Sequence, residues 1–132
     1  MSFKAKLELD GKIITVLNFS LEVKQQTDIT GRPTAGVIAG EVSLTLEMSE
    51  HTKEFSRWAL NDTGVKEGRI VFYNNNLSGI LRTIKFSNAY CTFYKESYDH
   101  DDTQPYTIDL IINAKEIKVG DDDHKNNWPM AQ

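Results

Sequence analysis

Gln25-Gln26-Thr27-Asp28-Ile29-Thr30-Gly31-Arg32-Pro33-Thr34-Ala35-Gly36 is a long polar excursion set between two runs of alternating apolar residues. Before it, Phe19, Leu21 and Val23 alternate with Ser20, Glu22 and Lys24; after it, Val42, Leu44, Leu46 and Met48 alternate with Ser43, Thr45 and Glu47. Period-two patterning on both sides reads as two β-strands, each with one face in a core. Connections between strands in a compact domain are usually a few residues long, so a reach of this size points to a task outside its own domain. The stretch, about residues 25–40, reads as an assembly arm.

The same period runs outward in both directions. Phe3, Ala5, Leu7 and Leu9 alternate with Lys4, Lys6 and Glu8 up to Asp10-Gly11, a dipeptide suited to a tight hairpin. Ile13 to Leu17 continues the alternation into Phe19. Downstream, strands are expected over Arg69–Tyr73, Ile80–Phe86, Ala89–Tyr94 and Tyr106–Ile117, with Asn74-Asn75-Asn76 as a turn. In the last of these, Tyr106, Ile108, Leu110, Ile112 and Ala114 share one face. The period changes once, where Phe55, Trp58 and Ala59 fall at i, i+3 and i+4. That spacing predicts a short amphipathic helix, with Ser49 or Thr52 available as its cap and Asp62-Thr63-Gly64 beyond its end. Roughly seven or eight strands with one helix describe a mainly β protein, a small antiparallel barrel or sandwich with one short α-helix and a long extended loop. The whole of 1–132 is expected to be a single domain, ending in a polar tail from about residue 119 to 132.

Composition narrows the function. With 132 residues and 39% hydrophobic content the chain can build one core. Fifteen basic and nineteen acidic residues give a net charge of −4, and the cations are interspersed with carboxylates. Neither a nucleic acid nor an anionic membrane surface is the expected partner. No apolar run approaches the length of about 18 residues needed to span a bilayer, and the N-terminus lacks the apolar core of a signal peptide. Cytoplasmic folding, and export without a cleaved leader, are the expectation. Cys91 is the only cysteine, so no intrachain disulfide can form.

Catalytic and ligand chemistry finds little support. Cys91 is in phase with Ala89 and Phe93, positions expected to point inward, so its thiol reads as inert and buried. Asp99-His100-Asp101-Asp102 and Asp121-Asp122-Asp123-His124 hold carboxylates and imidazoles, but lack both the glycine and terminal glutamate of a calcium loop and the two-histidine spacing of a zinc site. Both read as solvated acidic turns, and no metal or other cofactor is expected. Gly31, Gly36 and Gly40 lack the spacing of a phosphate loop and precede a strand, not a helix. Phe55, Trp58, Tyr90 and Tyr94 are candidates for a stacking platform, yet each fits a core or interface position and no basic groove accompanies them.

The opening Met1 to Lys12, then Val16-Leu17-Asn18-Phe19, then Thr27-Asp28 and Thr30-Gly31-Arg32-Pro33, resembles the Hcp, or TssD, tube proteins of type VI secretion systems, specifically their Bacteroidetes branch. The resemblance runs through the lone helix to the last long strand. It implies a non-enzymatic subunit that forms homohexameric rings stacked into a tube inside a contractile sheath, with spike and baseplate proteins as further partners and effectors as lumen cargo. No catalytic residue carries over. It also places Thr27, Asp28, Thr30, Gly31, Arg32, Pro33 and Thr34 in the contact between rings or subunits. Gly31 permits a sharp bend, Pro33 restricts itself and Arg32, and Arg32 offers a fork for a carboxylate on the next subunit. Two alternatives stand beside this reading: the tail tube of a phage-like or extracellular contractile device, and a monomeric β-barrel that binds a ligand.

Overall fold

The computed structural model describes residues 3–27, 29–31, 33–61, 63–74 and 79–125, with the backbone alone for 25–27, 33–40 and 122–125. The elements are β1 (Phe3–Leu9), β2 (Lys12–Thr27), β3 (Pro33–Glu47), α1 (Phe55–Ala59), β4 (Lys66–Asn74), β5 (Ile80–Tyr98), β6 (Tyr106–Val119) and β7 (Asp122–Lys125). All strand neighbours are antiparallel, in the order β3-β2-β1-β4-β5-β6-β7, and β3 also pairs with β6. That extra pairing closes six strands into a barrel, the mainly β architecture with one short helix expected from the alternation. Closure removes the sheet edges that would otherwise template foreign strands.

Inward-facing residues from every barrel strand build one core, including Leu7, Ile14, Leu44, Ile70, Ile84 and Leu110. Helix α1 stops one end of it. Phe55 and Trp58 are buried against the core, and their rings meet edge to face with centroids 6.1 Å apart. The Trp58 indole N–H donates to the Gly64 carbonyl at 3.2 Å, satisfying the polar atom that burial would otherwise strand. The expected capping role is not observed: Glu54 occupies the N-cap without a side-chain bond. Thr52 instead is fully buried, accepts from the Ser49 N–H at 2.7 Å and donates to the Glu47 carbonyl at 2.9 Å, so it organises the turn that leads β3 into α1.

Three departures from simple alternation have a common cause in β-bulges, where an extra residue turns the following side chains to the other face. In β2 the register slips between Val16 and Asn18, so Ile14 and Val16 point inward, Ile13 is exposed, and Phe19 and Leu21 take over the core face. The two strands expected over Ile80–Phe86 and Ala89–Tyr94 are one strand, β5, bent at Asn88, which sits at φ 51° beside a register slip against β4. A second slip in β5, between Cys91 and Phe93, reverses the expectation for Phe93: it is 46% exposed, whereas Tyr94 packs on the core. The Thr92 hydroxyl fixes that bulge, accepting from Asn113 Nδ2 at 2.6 Å.

The excursion is not an open loop. β2 and β3 stay paired well past the barrel, with Lys24 opposite Ile38, Gln25 opposite Val37 and Thr27 opposite Pro33. The arm is thus a two-stranded ribbon, made possible because extended backbone with polar side chains needs only a partner strand to satisfy its hydrogen bonds. Where β3 leaves β6 to join the ribbon, beyond the Glu41–Asn113 pair, β7 takes its place, pairing Asp122 to Lys125 with Val119 to Glu116. Part of the expected polar tail is therefore a strand, reached through Gly120 at φ 61°. Asp28, Arg32, Asn75-Asn76 and Trp128-Pro129-Met130 lie outside the described residues.

Candidate assembly surface

At the tip of the ribbon, Ile29, Thr30 and Gly31 are all exposed, and Gly31 sits at φ +88°, a conformation that other residues adopt only with strain. Nothing lies within 4 Å of where its Cβ would be, so the glycine serves the backbone bend and not a close approach. Ile29 is wholly solvent-exposed, an unusual setting for a branched apolar side chain at the end of a projection. Of the other arm residues, Thr27 and Pro33 face each other in register and Thr34 follows in the same strand. At the ribbon's root Lys24 pairs with Glu22 at 2.6 Å, two exposed side chains whose bond contributes little to stability.

A second projection was not foreseen. Beyond the pairing of Lys66 with Ala89, β5 leaves β4 behind and continues with β6 alone as far as the Tyr98–Tyr106 pair. On the face continuing from the core, Glu96 is held by two phenols: the Tyr94 hydroxyl donates to Oε2 at 3.0 Å and the Tyr106 hydroxyl donates to Oε1. Burial, then the neighbouring carboxylate, pushes the Tyr94 phenol up to about 12. For Tyr106 the bond to Glu96 raises it first and burial second. Tyr98 and Tyr106 meet edge to face with centroids 6.0 Å apart. The signal available in sequence was the period-two series Tyr94-Glu96-Tyr98, hidden because the Thr92 bulge shifts it onto the inner face.

The remaining candidates resolve into structure. The Cys91 thiol is 7% exposed, donates to the Phe93 carbonyl at 3.3 Å, and is pushed up to about 11 by burial. A thiol so disposed is a poor nucleophile at neutral pH. In the β5–β6 turn the Asp99 and Asp102 carboxylates accept from the backbone of Asp101 at 3.0 Å and Gln104 at 3.2 Å, closing local turns. Among the described residues no group of His, Cys, Asp and Glu is placed to hold a metal. Val71 is fully buried in the single chain, and its neighbour Phe72 packs edge to face on Phe19 with ring centroids 5.0 Å apart.

A closed antiparallel barrel stopped by a short helix and extended by ribbons is the fold of a group of secretion-tube structures. Hcp1 from Flavobacterium johnsoniae is 32% identical, with 93% of this chain and 99% of that one covered at a TM-score of 0.85. Hcp1 from Salmonella typhimurium, at 13% identity and a TM-score of 0.72 over 90% of this chain and 86% of that one, shares the fold. So does the sheath/tube terminator of an extracellular contractile injection system, PVC, at 18% identity and 0.65 over 87% and 91%. No curated protein matches the sequence. The family model described as hemolysin coregulated protein Hcp (TssD) matches residues 1–129, and the chain belongs to that family. It is a tube protein of type VI secretion, a family of secreted, self-assembling components. Among the described residues no helix is long and apolar enough to cross a membrane.

Proposed function

We propose that the chain, folded as a single domain, forms homohexameric rings that stack into the tube expelled by a contractile sheath, with spike and baseplate proteins as further partners and effector proteins carried in the lumen. The family match across residues 1–129 carries this reading. A stackable ring needs heterologous contacts that close laterally and stay open along the axis. A ribbon with an exposed Ile29 at its tip suits the axial one. The role is structural and not enzymatic, in keeping with a buried thiol whose pKa is raised to about 11. Assembly is cytoplasmic, and the protein leaves with the tube.

Light scattering and negative-stain microscopy on one purified fraction test the proposal. Ring-shaped particles of six chains are expected; a monomer at all concentrations overturns it and promotes the ligand-binding barrel. Arg32→Ala and Gly31→Pro should leave the barrel folded while stacking or secretion fails, and intact tubes in both variants would remove the arm, Thr27 to Thr34, from the contact.

A further inference from the structure

The two ribbons leave the barrel at opposite ends. β3 and β6 are antiparallel neighbours, with Glu47 opposite Thr107 and Glu41 opposite Asn113. The β2–β3 ribbon lies beyond the second pair and the β5–β6 turn beyond the first. A tip at one end and a face at the other are the two halves of a heterologous contact that repeats along an axis.

We propose that the inner face of the β5–β6 ribbon, built by Tyr98, Tyr106 and Glu96, is the seat for the β2–β3 ribbon tip of a second copy of this chain in the next ring. The inference rests on the stacked-ring reading above and names the acceptor for the arm. Tyr98 is 67% and Tyr106 39% exposed, and both are the aromatic type that dominates contact energies when covered. Glu96 is pre-oriented by its two phenols, so little side-chain entropy remains to be lost on binding. Residues 95–104 carry Lys95 against Glu96, Asp99, Asp101 and Asp102, a net −3, whereas residues 24–34 carry Lys24 and Arg32 against Asp28, a net +1. Ile29 supplies apolar area to cover the tyrosine rings, and the guanidinium of Arg32, three residues on in the sequence, has the chemistry to meet both a carboxylate and an aromatic face.

The test replaces Ile29 by the photocrosslinking residue p-benzoylphenylalanine in the full chain, irradiates purified rings and maps adducts by mass spectrometry. The expected adduct joins residue 29 of one chain to a peptide within 94–106 of another. It should be lost when Tyr98→Ser and Glu96→Lys are added, while rings and the melting temperature of the single chain are retained. Rings that yield an adduct elsewhere, or none, overturn the assigned seat and leave the ring reading intact. A monomer without any adduct overturns both.

Discussion

Gly68 of β4 lies directly opposite Phe86 of β5, and a Cβ on it would sit 3.0 Å from the Phe86 ring and 2.7 Å from the Glu8 carbonyl oxygen. The backbone atom cannot swing away as a flexible side chain would, so β1 and β4 must part. Gly68→Ala is expected to cost about 1–3 kcal/mol, the range for overpacking a filled core. Urea unfolding checks it, and an unchanged midpoint would show that the strands separate without penalty.

Barrel closure can be probed at one hydrogen bond. The Thr45 hydroxyl donates to Asp109 Oδ1 at 2.6 Å across the β3–β6 seam, both residues being half-buried. Removing a donor from a charged acceptor costs more than from a neutral one, so Thr45→Val should lose about 1–2 kcal/mol. Asp109→Asn retains an acceptor and should lose less. No loss in either variant on chemical denaturation would mean that the seam is held by apolar packing alone.

Residues that look alike in sequence separate by face. Leu46 is fully buried, and Leu46→Ala is expected to cost about 2–5 kcal/mol through lost contacts and a cavity. Ile13 is 65% exposed because the β2 bulge turns its face outward, and Ile13→Ala should stay within about 0.5 kcal/mol in the isolated chain. Comparable losses for the two would contradict the register of β2.

Alkaline pH should loosen the fold through two groups. The Cys91 thiol is raised to about 11 and the Tyr94 phenol to about 12, each chiefly by burial. The native state therefore keeps protons that the unfolded chain releases earlier. The stability linked to them is complete below the ordinary values, near 9.0 and 10.0, and is lost as pH rises through the folded values. Melting temperature should fall from about pH 9 upward, and less steeply in a Cys91→Ser, Tyr94→Phe variant. Equal slopes would show that other groups set the alkaline limit.

What could be read from the sequence was what depends on neighbours close in the chain. Leu7 and Leu9, the Asp10-Gly11 turn, Phe55 with Trp58, and the Ile108-Leu110-Ile112-Ala114 face are set by local period and turn chemistry, and each is found as expected. Phe93 and Tyr94 were beyond it, because a bulge is decided by how β5 must bend to follow β6, a long-range demand. The length of the ribbon was missed for a related reason. Gln25 and Val37 are individually unremarkable, and only their pairing turns a polar stretch into a strand. Of the two projections, the first was legible as a long polar excursion between two alternating apolar runs. The Tyr94, Glu96 and Tyr106 cluster was not, since it joins two strands across a turn.

The β3–β6 seam has a mechanical meaning. The arm extends β3 past one end of the barrel, and the opposite projection begins on β6 past the other end. Tension applied between the two tips would slide β3 along β6, loading the hydrogen bonds from Glu41–Asn113 to Glu47–Thr107 simultaneously, in shear, instead of peeling them in succession. A chain wired in this way meets a sudden pull between its two tips with the whole seam at once.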